Sequence, residues 1–214
     1  LSRVTIRKRS LSGLELDITT PARSYRRLAV SLPGDHQAVN TCLAVLAIQQ
    51  LRHQGFSRIQ EQSIRDGLRG VRKFSGLRGR IGLVMNNPRI VLDVAHNAEG
   101  TRALVSALRG LVVGKLVTVF GVMKDKNYDE MLRILGEISR LLIAVQPRTD
   151  RALASDIIVK QMHSHSLRAV DAGSVDRGLR LAMLEVRIGE TILVTGSHYV
   201  AGEVLKLLNS GVET

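Results

Sequence analysis

The sequence predicts an α/β protein, because two kinds of segment alternate along residues 81–214. Short apolar runs rich in β-branched residues predict strands at 89–93, 116–120, 141–145, 167–170 and 191–195. Amphipathic stretches with helical spacing follow them, at 101–108, 128–139, 155–162, 175–186 and 199–208. Strands that are apolar throughout are buried on both faces, so we expect a mostly parallel sheet covered by helices on both sides.

The start of this region predicts a β-hairpin. The apolar run 81–85 leads through Asn86, Asn87 and Pro88 into the strand at 89–93. Asparagine tolerates positive φ, so the Asn-Asn pair is expected to turn in that conformation. The hairpin gives the parallel sheet an antiparallel edge, and residues 76–214 are therefore expected to form a Rossmann-like domain.

The preceding residues have a different pattern. Apolar and polar residues alternate with a period of two up to Leu32, which predicts strands. After Pro33 and Gly34 the spacing becomes helical, and one apolar face is predicted from Val39, Cys42, Leu43, Leu46, Ala47 and Leu51. Residues 63–68 predict a short helix and 69–79 a loop, so we place a domain boundary after residue 75.

Composition limits the class of protein. Hydrophobic residues make up 44% of the 214, and no apolar run approaches the ~20 residues of a membrane span. Cys42 is the one cysteine, on the apolar helix face, and we interpret it as a buried, inert thiol. With no signal-peptide pattern, a cytoplasmic enzyme or binding protein is expected. The chain begins at Leu1 without methionine, which leads us to expect part of a longer protein.

The net charge of +12 is unevenly distributed. Residues 1–80 hold 15 Lys and Arg against 5 Asp and Glu, whereas residues 81–214 hold 16 against 14. Aromatic residues are 3% of the chain and tryptophan is absent, so stacking surfaces for single-stranded nucleic acid are scarce. A solvated basic face, a site for a small polyanion and a nucleic-acid surface remain as alternatives, of which the last has the least support.

Candidate functional residues follow the predicted parallel strands, since ligands of α/β sheets bind at the carboxyl ends of strands. The strand at 89–93 ends in Asp93, followed by His96 and Asn97. These side chains can hydrogen bond to a hydroxyl or amine ligand. The alternative is that Asp93 or Asn97 only caps the next helix.

Two further strand ends carry polar groups. Gly121 is followed by Lys124, Asp125 and Lys126, which predict either an anion contact or a solvated loop. Ser197 stands where the last strand passes into a helix, so it is expected to cap the helix, to contact a ligand, or both.

Several other functions lose support. No G-x-G-x-x-G follows the first parallel strand, and no G-x-x-x-x-G-K-[ST] phosphate loop occurs in the sequence. NAD binding and ATP hydrolysis by this chain alone are therefore not expected. His163 and His165 have no cysteine pair nearby, and we predict no metal site.

Five stretches together resemble the Mur ligase superfamily, and most closely its folylpolyglutamate and dihydrofolate synthase branch. In the family's order they are GDHQAVN at 34–40, GR at 79–80, LDVAHN at 92–97, FGVMKDK at 120–126 and VTGSHYVAGE at 194–203. The resemblance implies that residues 1–75 are the end of a central ATPase domain and that residues 76–214 are the C-terminal glutamate ligase domain. The phosphate loop and the magnesium and folate sites would lie upstream.

The resemblance also implies a reaction and its residues. In this family ATP activates a folate or pteroate carboxylate as an acyl phosphate, which the amine of L-glutamate attacks. By resemblance, Asn40, Arg80 and Asp93 contact ATP, and His96 and Ser197 position glutamate or the acyl phosphate, with Lys126 as a further catalytic candidate. ATP and Mg²⁺ are the expected cofactors, with magnesium held mainly by the upstream part.

Two alternatives to this function remain. One is part of a peptidoglycan-precursor Mur ligase, whose substrate pockets lie largely upstream. The other is a basic Rossmann-like module that binds nucleic acid through its first 80 residues and has no ligase role. A salt-dependent affinity for nucleic acid above that for ATP would favour the second.

Overall fold

The structure is a computed structural model, and it describes residues 1–56 and 58–210. The chain divides into two compact units, Leu1–Ile81 and Gly82–Thr214. The break lies a few residues beyond the predicted division after residue 75. Among the described residues, no helix has the length and apolar character needed to cross a membrane.

The first unit is a three-stranded antiparallel sheet with three helices. The strands, in the order β1-β2-β3, are β1 (Arg3–Ser10), β2 (Gly13–Thr19) and β3 (Ser24–Val30). The helices are α1 (His36–His53), α2 (Glu61–Arg69) and α3 (Val71–Ser75). The predicted period-two strands are therefore present, whereas α3 lies in a segment predicted to be a loop.

The core of the first unit forms between one face of the sheet and the helices α1 and α2. Alternate residues of β2, namely Leu14, Leu16 and Ile18, are buried against Cys42 and Val45 of α1. The prediction of a single apolar face on α1 was wrong. Val39 and Leu43 are 61% and 60% exposed, because they lie on the side of the helix that faces away from the sheet.

The second unit is a six-stranded sheet with helices between its parallel strands. Its strands are β4 (Gly82–Asn86), β5 (Arg89–Leu92), β6 (Leu116–Phe120), β7 (Ser139–Gln146), β8 (Ala169–Ser174) and β9 (Thr191–Thr195). Its helices are α4 (Ala98–Arg109), α5 (Tyr128–Gly136), α6 (Ser155–Ser164), α7 (Val175–Glu185) and α8 (His198–Asn209).

The strand order is β4-β5-β9-β6-β7-β8, and only the β4–β5 pair is antiparallel. Apolar residues of α7 and α8 pack against one face of the parallel strands. The residues that alternate with that face, such as Phe120 and Leu142, are also fully buried, and α4, α5 and α6 supply further buried side chains. The predicted α/β fold, a mostly parallel sheet with an antiparallel hairpin edge, is confirmed.

Three local predictions in the second unit need correction. Helix α5 ends at Gly136 and not at residue 139, because Ser139 begins β7 and its hydroxyl lies 2.7 Å from that of Thr118 on β6. Strand β8 begins at Ala169, two residues later than predicted. The hairpin turn contains a cis Asn87–Pro88 peptide bond, and neither asparagine has positive φ.

Candidate functional site

The carboxyl edge of the second unit's sheet brings three loops together. Strand β9 lies between β5 and β6, with Leu92 opposite Val194 and Phe120 opposite Thr195. Because these strands are parallel and end at the same level, the segments that follow them meet at one edge. The candidate residues Asp93, His96 and Ser197 all belong to these segments.

Asp93 continues the line of β5 and is nearly buried. Its side chain is 8% exposed, and its backbone N–H donates to the Val194 carbonyl at 2.9 Å. Its Oδ1 accepts the backbone N–H of Ala95 at 2.8 Å, which turns the chain after the strand. Asp93 therefore shapes this loop and does not cap α4.

Asn97 is the residue that caps α4. Its Oδ1 accepts the backbone N–H of Gly100 at 2.8 Å, which satisfies one of the free N–H groups of the first helical turn. The sequence left open whether Asp93 or Asn97 caps the next helix. Asn97 does so, and Asp93 does not.

His96 is exposed, and its ring is oriented by two contacts. Nδ1 lies 3.0 Å from the Val94 carbonyl oxygen, and the ring centroid lies 5.8 Å from that of His198 with an angle of 44° between the ring planes. A carbonyl oxygen only accepts, so this bond assigns the proton to Nδ1. In the neutral ring Nε2 is then the hydrogen-bond acceptor.

Ser197 lies directly after β9 and is 3% exposed. Its Oγ accepts the backbone N–H of Val200 at 3.2 Å, so it caps α8. Accepting this bond uses a lone pair, and the hydroxyl proton remains able to donate to a ligand. Capping and ligand contact are therefore compatible at this residue.

The turn before Ser197 requires glycine. Gly196 has φ of 105°, and a Cβ atom there would lie 2.6 Å from the Gly121 carbonyl oxygen. The loops after β9 and β6 thus approach each other closely through two glycines. A larger residue at either position would move the strand ends apart.

His198 is a residue at this edge that sequence analysis did not single out. It is exposed, it begins α8, and its ring contacts His96 although 102 positions separate the two. A signal was present, since His198 directly follows the candidate residue Ser197. Its contact with His96 depends on the pairing of strands that are distant in the sequence.

Lys126 follows β6 and is paired within its own loop. Its Nζ lies 3.0 Å from Oδ2 of Asp125, and hydrogen bonding from Lys126 lowers the pKa of that carboxyl group. Lys124 Nζ donates to the Asp150 carbonyl at 2.9 Å. Both lysines therefore have partners in the protein, which is the arrangement expected of a solvated loop.

The remaining two candidates belong to the first unit. Asn40 is exposed near the start of α1, and its Nδ2 donates to Oε1 of Gln37 at 3.1 Å. Arg80 has an exposed side chain, and its backbone carbonyl accepts from Nη2 of Arg72 at 2.5 Å. Neither contact assigns a ligand to these residues.

The described residues offer no cluster of metal-ligating side chains. Within residues 1–56 and 58–210, no group of three or more His, Cys, Asp or Glu side chains is placed to hold a metal ion. Two buried hydroxyl oxygens of β9, Oγ1 of Thr191 and of Thr195, have no hydrogen-bond partner. The polar side chains at the carboxyl edge include the hydroxyl of Ser197, the imidazoles of His96 and His198 and the carboxylates of Asp93 and Asp125.

A parallel sheet with polar side chains and helix starts gathered at its carboxyl edge defines an α/β ligand-binding domain. Residues 79–198 match the family described as Mur ligase, glutamate ligase domain. The chain belongs to this family, and the predicted resemblance is confirmed.

The curated relatives include dihydrofolate and folylpolyglutamate synthases. The chain is 29% identical over 201 residues to the dihydrofolate synthase/folylpolyglutamate synthase of Bacillus subtilis, covering 92% of this chain and 45% of that protein. The chain thus spans about half the length of the curated relatives it matches.

Solved structures share the fold. A folylpolyglutamate synthase of Mycobacterium tuberculosis complexed with ADP has a TM-score of 0.82 at 24% identity, covering 95% of this chain and 47% of that one. The bifunctional enzyme of Yersinia pestis complexed with AMPPNP and a Mn ion has a TM-score of 0.73 at 26% identity, covering 91% and 44%.

Proposed function

We propose that this chain is the C-terminal part of an ATP-dependent ligase that adds L-glutamate to folate or dihydropteroate. The observation that carries the proposal is the meeting of Asp93, His96 and Ser197 at the carboxyl edge of a glutamate ligase domain. The names of the relatives supply the folate class of substrate.

The proposed chemistry is amide formation through an acyl phosphate. Attack by the amine of glutamate requires that its carboxylates be held and that the amine lose a proton. The Nε2 acceptor of His96 and the hydroxyl and backbone N–H groups at the start of α8 supply groups of these two kinds. We therefore assign His96 and Ser197 to the positioning of glutamate or the acyl phosphate.

The nucleotide contacts are proposed on a different basis. Asp93 places a carboxylate at the end of β5, and a carboxylate oxygen can accept a hydrogen bond from a ribose hydroxyl. For Asn40, Arg80 and Lys126 the proposal rests on the resemblance alone. ATP, when bound, would supply the phosphoryl group that activates the carboxylate.

Magnesium does not fit the donor set of the described residues, because these hold no cluster of carboxylates or imidazoles of the required size. We propose that the magnesium ligands lie in a further part of the ligase, which corresponds to the part of the relatives that this chain does not match. The same holds for the phosphate loop, which the sequence lacks. A function in the cytoplasm remains a prediction from the sequence.

The proposed domain assignment follows. Residues 1–75 would complete a central ATPase domain, and residues 76–214 would form the glutamate ligase domain. The division of the chain into units at Ile81 supports this assignment, as does the family match that starts at residue 79. The chain alone would then be inactive.

The test joins the chain to the part it lacks. A chimera would carry the N-terminal half of the Bacillus subtilis relative followed by residues 1–214, and ATP-dependent incorporation of L-glutamate would be measured with dihydropteroate and tetrahydrofolate. We expect incorporation that His96→Ala reduces. A folded chimera that binds ADP but ligates only a peptidoglycan precursor, or nothing, would refute the folate assignment.

A further inference from the structure

A small pocket of about 220 Å³ lies in the first unit. It is bordered by the β1–β2 hairpin, the end of β3 and the last residue of α2. Its charged and hydroxyl-bearing lining residues are Lys8, Ser10, Ser12, Glu15, Ser31 and Arg69. None of them was a candidate in the sequence analysis.

The cations of this pocket are not neutralised by the unit's own acids. Four of the five carboxylates in residues 1–80 form ion pairs with arginines, and these are Glu15, Asp17, Asp35 and Glu61. Lys8 and Arg69 make no ion pair among the described residues. Both side chains are exposed at the pocket, so they are available to an anion.

The carboxylate in the lining does not reverse this balance. Glu15 lies opposite Lys8 in the β1–β2 pairing, and its Oε1 accepts from Nε of Arg27 at 3.4 Å. Even with the full negative charge of Glu15 counted, the two positive charges of Lys8 and Arg69 leave the lining with an excess of positive charge.

One hydroxyl group adds a neutral donor. Ser31 Oγ accepts the backbone N–H of Arg72 at 3.5 Å, and its own proton has no acceptor in the described part of the chain. Ser10 and Ser12 share a hydrogen bond of 2.7 Å between their oxygens. Ser10 Oγ also donates to the Gly13 carbonyl at 3.1 Å, so Ser12 is the donor in the serine pair and both protons are used within the hairpin.

We propose that this pocket binds a tetrahedral oxyanion, namely free phosphate or the phosphate group of a small molecule. Two cations and the hydroxyl of Ser31 suit an anion with several acceptor oxygens. The volume is below the range of about 300–1,000 Å³ usual for drug-sized ligands, which favours a small one. The proposal concerns residues outside the candidate ligase site and stands without the proposed function.

The test uses the ¹⁵N-labelled 214-residue chain and inorganic phosphate at constant pH and ionic strength. We expect saturable amide shift changes at Lys8, Ser12, Ser31 and Arg69. Lys8→Ala and Arg69→Ala are each expected to weaken binding about tenfold, the effect of losing one charge-assisted hydrogen bond. Lys73→Ala is the matched control, since it removes an exposed cation of the same unit that does not line the pocket.

A second arm replaces phosphate by adenosine monophosphate. Tighter binding with the same shifts would identify a phosphorylated molecule as the ligand, and equal or weaker binding would identify free phosphate. Shifts no larger than those from chloride would overturn the proposal. So would equal affinities of Lys8→Ala and Lys73→Ala in proteins whose spectra show an intact fold.

Discussion

His96 is the residue at which a functional and a structural role can be separated. Its side chain is exposed, so its removal loses little buried surface, yet its ring is oriented by the Val94 carbonyl and by His198. An exposed ring that is held in place is typical of a group that contacts a ligand.

We expect His96→Ala to change the free energy of unfolding by no more than about 0.5 kcal/mol, as surface substitutions usually do. In a ligase chimera it should lower the rate at saturating glutamate or raise the KM for glutamate by at least about tenfold. Thermal unfolding and steady-state kinetics measure the two effects. His163→Ala, at an exposed position of α6, is the control, and a lower melting temperature with normal kinetics would contradict the functional role.

Asn97 illustrates the opposite case, a polar residue near the candidate site with a structural task. Asn97→Ala removes the cap of α4 and should cost about 1 kcal/mol of stability. Asn97→Asp keeps an acceptor at the same place and should retain most of the stability that the cap contributes. Urea unfolding of both variants checks this, and equal stabilities of the two would mean that the cap contributes nothing.

At the scale of elements, α5 and the end of α6 are tied together by one carboxylate. Asp129 in the first turn of α5 accepts from Nε of Arg133 at 3.0 Å and lies 2.6 Å from Nε2 of His165. Hydrogen bonds from Arg133, followed by those from His165, lower the pKa of Asp129 from 3.8 to about 2.

A carboxyl group whose pKa is lower in the folded state stabilises the protein above its unfolded pKa and loses that effect as the pH falls. Asp129→Asn should therefore destabilise the protein at pH 6, and the difference from the wild type should shrink between about pH 4 and pH 2. Urea unfolding at pH 6 and pH 3 measures this difference in the free energy of unfolding. Asp150→Asn, which removes an exposed carboxylate that forms no ion pair within the described residues, is the control variant. A gap for Asp129→Asn that is constant with pH would count against this ion pair.

Helix α1 has apolar residues on two sides, and only the side that faces the sheet is buried. Val45 is fully buried, so Val45→Ala should cost about 2 kcal/mol. Val39→Ser and Leu43→Ser should cost less than about 0.5 kcal/mol each, because these side chains are already exposed. Chemical denaturation of the three variants tests the contrast, and similar losses at all three positions would show that Val39 and Leu43 are covered in solution.

At the scale of the whole molecule, the chain has a candidate ligand edge without a phosphate loop. We expect the purified 214-residue chain to release no phosphate from ATP and to incorporate no glutamate, because the groups that hold the transferred phosphoryl are absent from its sequence. A coupled phosphate-release assay with and without a folate acceptor measures this. Sustained turnover that co-purifies with the chain would overturn the assignment to a part of the ligase.

Much of the second unit could be predicted because its strands are local signals. Strands β6 and β9 lie where the sequence predicts them, since each is a short, mostly apolar run rich in β-branched residues, which is typical of a strand buried on both faces. Element ends were less predictable. The end of α5 depends on the hydroxyl contact between Ser139 and Thr118, and these two residues meet only when β6 and β7 pair.

The candidate site, too, could be predicted from the sequence only in part. The polar groups at the strand ends could be predicted from the sequence, because the carboxylate of Asp93 and the hydroxyl of Ser197 directly follow apolar strands. The contact between His96 and His198 was not, and neither was the position of the phosphate-sized pocket in the first unit.

The sequence by itself determined the α/β class, the family and the residue types available at the carboxyl edge, because periodicity and short motifs are properties of neighbouring residues. Only the tertiary structure decided which loops meet. Strand β9, the last in the chain, lies between β5 and β6, and this order depends on how the crossover helices pack and not on any local pattern. That insertion brings α8 beside the loop after β5 and so places His198 against His96.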